Sequence, residues 1–229
     1  MKPRLVIFRL PFSGRDEFLP LKGNPAFRTA SMRPQDYRGG AQVIILAGSG
    51  RTVDDLMHLR AVGGANTIRR HLSQGGVVVG ICAGYQMFGE HLLDPLQRQG
   101  SHPSVGGLGF LPIATGFGPK MLNATTTART LIGAGTGSLV TGEEHRSGYS
   151  WQTNLGSGPA PVLNLHRVVD RHVNGDLPPP VELEPGSIWQ PGGEEFDGLV
   201  TADRRIWGTY LHLIFHNDGF LRTFFASLT

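Results

Sequence analysis

The 229-residue chain has a single cysteine. It can form no internal disulfide and offers no Cys-based zinc site. A lone cysteine is commonly a small buried apolar residue, so its surroundings must carry any functional case. Charge is also sparse: 17% of residues are charged and the net charge is +3. The basic residues are scattered rather than gathered into a stripe, which leaves no electrostatic footprint for nucleic acid. No apolar run approaches the roughly 20 residues of a bilayer span. Met1-Lys2-Pro3-Arg4 lacks the apolar core of a signal peptide. These absences describe a soluble, cytoplasmic protein. A phosphate-cradling G-x-x-x-x-G-K-[ST] loop is missing as well.

What is present is enough apolar material for a sizeable core: 39% of residues are hydrophobic. The 33 glycines and 16 prolines indicate many tight turns without a low-complexity tract. No internal repeat or domain boundary emerges, so residues 1–229 read as a single domain. Residues 4–10 and, less clearly, 27–32 have strand character. Residues 41–46 and 77–81 are short apolar runs of the kind expected for strands buried on both faces. Thr52 is placed to cap a helix over 53–59, with Asp54 and Asp55 in its first turn. Further helices are expected over 66–72, 85–93 and 218–227, and strands over 198–202 and 206–212. The Thr-, Gly- and Ala-rich stretch 116–148 reads as hairpins or loops, and the proline-rich 174–193 as a surface excursion. The strand–helix alternation predicts an α/β fold with a doubly wound, mostly parallel sheet flanked by helices.

Cys82 lies in Gly80-Ile81-Cys82-Ala83-Gly84, a G-x-C-x-G pattern at a predicted strand-to-helix junction. Hydrolases with G-x-S-x-G use such a turn to expose a nucleophile on a strained backbone. The adjoining helix N-terminus favours a thiolate and supplies N–H groups for an oxyanion. The competing reading is a structural cysteine between glycines that merely allow packing. A nucleophilic cysteine also needs a base. Of the nine histidines, His58, His71 and His91 fall on predicted helices, His102 in a loop, and His145, His166 and His172 in the irregular middle. His212 ends an apolar run and so would sit at a strand tip, where open α/β sheets assemble their sites. A structural histidine, or a metal pair with His216, are the alternatives; no third metal ligand is evident.

Several stretches then resemble one family. Residues 80–89, Asp94-Pro95 and Gly107-Leu108-Gly109-Phe110-Leu111-Pro112 are similar to the amidotransferase domain of cobyric acid synthases, the CobB/CobQ-like glutaminases. So are Phe8-Arg9-Leu10-Pro11 with Asp16-Glu17-Phe18-Leu19-Pro20-Leu21, then 46–49 with 52–56, and 207–215 with Asn217-Asp218. The matches keep family order over most of the chain. The resemblance implies a flavodoxin-like class I glutamine amidotransferase fold. Cys82 would attack the glutamine side-chain amide to form a thioester, and His212 would shuttle protons. Backbone N–H groups at Gly48 or Ser49 and at Ala83 would hold the oxyanion, with Gln86 and Tyr149 also assigned to the substrate site. No metal and no cofactor is expected in this chain. ATP and magnesium belong to a separate synthetase, because cobyric acid synthases carry an N-terminal ATP-using domain and this chain opens almost at the amidotransferase boundary. A free-standing glutaminase paired with a Mur-ligase-like subunit, which amidates lipid II D-glutamate, is a precedent for that arrangement.

Several departures follow. The acid that the more familiar triad glutaminases carry two residues after the histidine is Ile214 here, as the cobyric-acid-type branch generally lacks that acid, which leaves Asp197 and Asp218 as candidates for the orienting group. Tyr149-Ser150-Trp151-Gln152 stands where Tyr-Glu-x-His is usual, Gly50 replaces a lysine, and Leu213 replaces a glycine. The runner-up reading is a degenerate amidotransferase domain kept as a binding or regulatory partner.

Overall fold

Five consecutive buried residues, Val77–Ile81, form a strand near the middle of the sheet. Its three adjoining valines suit a pleated surface covered on both faces. The computed structural model describes residues 2–14, 17–131, 136–153, 162–174 and 195–226. The strands are β1 (Arg4–Phe8), β2 (Arg28–Met32), β3 (Val43–Leu46), β4 (Val77–Ile81), β5 (His91–Leu93), β6 (Ser104–Gly106), β7 (Ile113–Thr130), β8 (Leu139–Gln152), β9 (Val162–Val173), β10 (Phe196–Thr201) and β11 (Ile206–Thr209). The helices are α1 (Leu19–Gly23), α2 (Thr52–Ala61), α3 (Gly64–Ser73), α4 (Ala83–Met87) and α5 (Asp218–Ala226). One sheet runs in the order β2-β1-β3-β4-β11-β10-β9-β7-β5-β6, with β8 on β7.

The half from β2 to β11 is parallel throughout. Beyond β11 the pairings with β10, β9, β7 and β8 are antiparallel. The sheet is therefore mixed, and the expected parallel α/β pattern describes its first half. The difference comes from the middle of the chain. There, the stretch read as hairpins or loops does form an antiparallel pair, but a long one, of the 18-residue β7 and the 14-residue β8. Buried and exposed residues alternate along β8, the period of a strand with one covered face. The buried positions after Val140 hold Gly142, Glu144, Arg146, Gly148 and Ser150, so no run of apolar residues marks that period in the sequence.

Two helices also differ from expectation. α2 begins at Thr52 itself, so Thr52 is not its cap. Gln99 does that work from a distance: its Oε1 accepts the Thr52 N–H (3.2 Å) and its backbone oxygen accepts those of Val53 and Asp54. The helix expected over 85–93 stops at Met87, and His91 lies in β5. The carbonyls of Met87, Phe88 and Gly89 accept N–H groups of Leu108 to Leu111, so the chain turns away to pair with that segment. Most of the excursion expected over 174–193 lies outside the described residues. No helix among the described residues is long and apolar enough to cross a membrane.

The core gathers around the parallel half, where Phe8, Ile44, Leu46, Val79 and Trp207 have no exposed surface. Each such side chain contributes roughly 1.5–3 kcal/mol by leaving water. In register, Leu46 pairs with Gly80 and Thr209 with Ile81, so β3, β4 and β11 end side by side. Residues 47–49, Cys82 and residues 210–212 leave the sheet at that shared edge.

Candidate active site

Cys82 occupies φ 50°, ψ −105°, between β4 and α4. A non-glycine residue there is strained by about 1–3 kcal/mol and persists only where its surroundings hold it. They do so on both sides: the Cys82 N–H donates to Thr209 O (2.8 Å) and the Gln86 N–H to Cys82 O (3.0 Å). The flanking glycines are packing requirements. A Cβ on Gly80 would lie 2.6 Å from backbone atoms of Gly84 and Tyr85, and one on Gly84 would lie 2.2 Å from Leu46 O. Ala83 opens α4, so its N–H has no partner within the helix. The thiol is nearly enclosed, at 5% exposure, and donates to the carbonyl oxygen of His145 at 3.5 Å.

His212 comes to the same place from the end of β11. A Cβ on Gly48 would lie 2.6 Å from His212 Cε1, 3.5 Å from His212 Nε2 and 3.6 Å from Cys82 Cβ. The bare α-carbon of Gly48 thus packs directly against both candidate residues. The backbone of His212 pairs with Glu143 in β8 through two hydrogen bonds, 2.8 and 3.2 Å. Its Nε2 is buried without a hydrogen-bond partner among the described residues.

Glu17 supplies the carboxylate that neither Asp197 nor Asp218 provides. Its Oε2 lies 3.1 Å from His212 Nδ1. Burial alone would lower the affinity of His212 for its proton. The negative charge of the Cys82 sulfur, followed by the Glu17 carboxylate, outweighs burial and raises the imidazole to about 11. The geometry brings together a thiol, an imidazole and a carboxylate, the arrangement of a cysteine nucleophile with its base and orienting acid. Sequence reasoning missed Glu17. It stood within the family-like stretch 16–21, but nothing local ties it to a histidine 195 residues later.

Asp197 is buried and accepts hydrogen bonds from the Thr209 hydroxyl and the Tyr210 N–H. Burial, then the Glu144 charge, pushes its carboxyl above the usual range. It anchors the end of β11 rather than touching His212. Asp218 opens α5.

The other candidate positions differ in how they meet the site. The Gly48 carbonyl accepts the Gly14 N–H at 2.9 Å, which orients the Gly48–Ser49 peptide. The Ser49 hydroxyl donates to Asp55 Oδ2 at 2.6 Å. Gln86 is buried with its amide engaged: Oε1 accepts from Thr52 Oγ1 (3.1 Å) and Nε2 donates to the Tyr210 hydroxyl (3.3 Å). Tyr149 packs under the Arg146 guanidinium, which lies 5.0 Å from its ring and 4.4 Å from that of Tyr210. Arg146 and Arg171 pair with the buried Glu144, each at 2.8 Å. Burial alone would raise the Glu144 carboxyl, but the two arginines hold it well below the usual range.

Sequence reasoning also passed over His145. Its ring bridges Glu143 Oε2 (2.9 Å) and Asn123 Oδ1 (3.0 Å) and lies 5.8 Å from that of His212. The buried histidines His71 and His166 are elsewhere: His71 bonds Val77 O at 3.0 Å, and His166 has no hydrogen-bond partner among the described residues. Among those residues, no group of three or more His, Cys, Asp or Glu side chains is placed to hold a metal ion.

The mixed α/β sheet with Cys82 and His212 at adjacent strand tips has the class I glutamine amidotransferase fold, as its structural neighbours show. Residues 3–220 match the model of the CobB/CobQ-like glutamine amidotransferase domain, and the chain belongs to that family of enzymes. It is 32% identical to a cobyric acid synthase of Syntrophobacter fumaroxidans over 223 residues, 97% of this chain and 40% of that one. To a cobyric acid synthase of Aliivibrio fischeri it is 34% identical over 204 residues, 89% and 36% of the two chains. The chain thus spans about two fifths of the curated relatives' length. Among solved structures it resembles PurLQS from Thermotoga maritima, with a TM-score of 0.68, 18% identity and full coverage of both chains. A second structure, of a glutamine amidotransferase, gives 0.61 at 16% identity, covering 98% of this chain and 97% of the other. At those identities the structural likeness concerns the fold.

Proposed function

We propose that this chain hydrolyses glutamine to glutamate and ammonia and hands the ammonia to an ATP-dependent synthetase that amidates a carboxylate. The observation that carries the reading is the meeting of Cys82, His212 and Glu17 at the ends of β4 and β11. In this scheme the Cys82 thiolate attacks the side-chain amide carbon, and the oxygen takes up the negative charge. Backbone N–H groups at Ala83 and at Gly48 or Ser49 stabilise that oxyanion. The His212 imidazolium gives its proton to the departing nitrogen, so ammonia leaves and a thioester remains. Water, deprotonated by His212, then attacks the thioester, releasing glutamate and restoring the thiolate and the imidazolium. Glu17 keeps the imidazole in register through both steps.

ATP and magnesium would bind the synthetase and not this chain. The cobyric acid synthase relatives favour a corrinoid carboxylate as acceptor, and the carboxylate of lipid II D-glutamate is the second choice. The synthetase would dock over the face that carries Cys82, the loop after β3 and residues 149–153.

The test is glutamate release from glutamine by purified protein, alone and with a candidate synthetase. Cys82→Ala should abolish it, and the glutamine analogue diazo-oxo-norleucine should add mass at Cys82. Full activity in Cys82→Ala would overturn the nucleophile assignment. An unlabelled Cys82 in the presence of the synthetase would favour the degenerate, binding-only reading.

A further inference from the structure

The segment that follows His212 is folded against its own preference. Leu213 adopts φ 60°, ψ 12°, a left-handed conformation unfavourable for a leucine. A short 3-10 turn over Ile214–His216 comes next, and Asn217 closes it. Asn217 then reaches to β8. Its Oδ1 accepts the Thr141 N–H at 3.0 Å and its Nδ2 donates to Thr141 O at 2.9 Å. One side-chain amide thus satisfies both backbone groups of a strand residue, as a neighbouring strand would. The same Nδ2 lies 3.1 Å from Ile214 O and 3.4 Å from Leu213 O, so it also ties down the turn.

These contacts belong to a series. Thr141, Glu143 and His145 present their backbone groups along one edge of β8. Thr141 is held by Asn217, Glu143 by the backbone of His212, and the His145 carbonyl faces the Cys82 thiol. The β8 edge therefore spans the site, and its position relative to His212 is set on one side by the Asn217 rung.

We infer that Asn217 is a positioning residue for the glutaminase reaction: it locks the strained turn after His212 onto β8 and so fixes the imidazole opposite Cys82. This rests on the function proposed above. The role is specific to an amide, because one end must accept and the other donate. Asn217→Asp keeps the shape and the acceptor, but sets a carboxylate oxygen against the carbonyls of Thr141 and Ile214.

The experiment measures kcat and KM for glutamine, and separately the alkylation of Cys82 by iodoacetamide, which needs no glutamine. Asn217→Asp should lower kcat on the order of tenfold with KM near that of the unaltered protein, and slow alkylation similarly. In a His212→Ala background the same substitution should leave alkylation unchanged. An unaltered kcat in Asn217→Asp, or equal slowing of alkylation with and without His212, would overturn the assignment. If Asn217→Asp does not fold, Thr141→Pro removes the opposing N–H from the strand edge that faces away from β7, and the same outcomes decide. Unaltered protein that is alkylated at Cys82 yet releases no glutamate would instead overturn the glutaminase reading, and the alkylation comparison would still judge the latch.

Discussion

Glu17 and His212 lie 195 positions apart in the chain, and a carboxylate oxygen of the first sits 3.1 Å from Nδ1 of the second. The acid of the candidate triad therefore enters from the segment after β1 rather than from the strand end that carries the histidine. Glu17→Gln retains the size of the side chain and removes its charge. Glutamine turnover should fall on the order of 10²-fold with a smaller change in KM, since the loss falls on proton transfer rather than on binding. Steady-state kinetics at neutral pH test this, and a kcat within a factor of two of the unaltered protein would remove Glu17 from the triad.

The protonation of His212 gives a second measurement. Its imidazole is raised from 6.5 to about 11, with Cys82 the stronger of its two raising partners. A raised value means that the folded state binds the proton more tightly than the unfolded chain. The resulting stabilisation is complete below about pH 6.5 and is lost as pH climbs towards 11. Ring resonances followed by NMR should show His212 still protonated at pH 8. In Cys82→Ala the titration should move down, and further than in Glu17→Gln. A titration near 6.5 in the unaltered protein would contradict the ion pair.

Gly48→Ala tests the closeness of the site. The added methyl would fall 2.6 Å from His212 Cε1, too near for any unshifted arrangement. Turnover should drop on the order of 10²-fold as the imidazole is displaced. Because the collision is at the end of the sheet and not in the core, circular dichroism should report a folded protein.

Asp197 should behave as a structural acid. Asp197→Ala leaves the Thr209 hydroxyl and the Tyr210 N–H buried without their acceptor, at a cost of about 1–3 kcal/mol. The unfolding midpoint in urea should fall accordingly. Loss of turnover with an unchanged midpoint would restore Asp197 as a catalytic candidate.

His166 should make the protein sensitive to acid. It has no exposed surface, and burial lowers its imidazole from 6.5 to about 3. The unfolded chain takes up this proton first, so stability is present above pH 6.5 and is lost as pH falls towards 3. At about 1.4 kcal/mol per unit, the full loss is on the order of 4–5 kcal/mol. His166→Leu should flatten the acid limb of stability against pH; equal slopes in the two proteins would refute the assignment.

The sequence by itself determined the elements whose signal is local. The valine run of β4 and the apolar β3 were legible because strands buried on both faces show as continuous hydrophobic stretches. Gly80, Cys82 and Gly84 were legible as a pattern because the turn imposes its packing requirement within five residues. His212 could be singled out because it follows a strand, and strand tips are where such sheets place their sites. The tertiary structure decided everything that depends on distant segments meeting. It made Glu17 the partner of His212, turned Asp197 into a brace for β11, and gave the capping of α2 to Gln99. It also laid the β8 edge across Cys82, although the threonines and glycines of that region carry no apolar run. The physical reason is the same in each case. A hydrogen bond between residues far apart in the chain leaves no periodicity in either stretch of sequence, because its geometry exists only once the sheet has brought the two together.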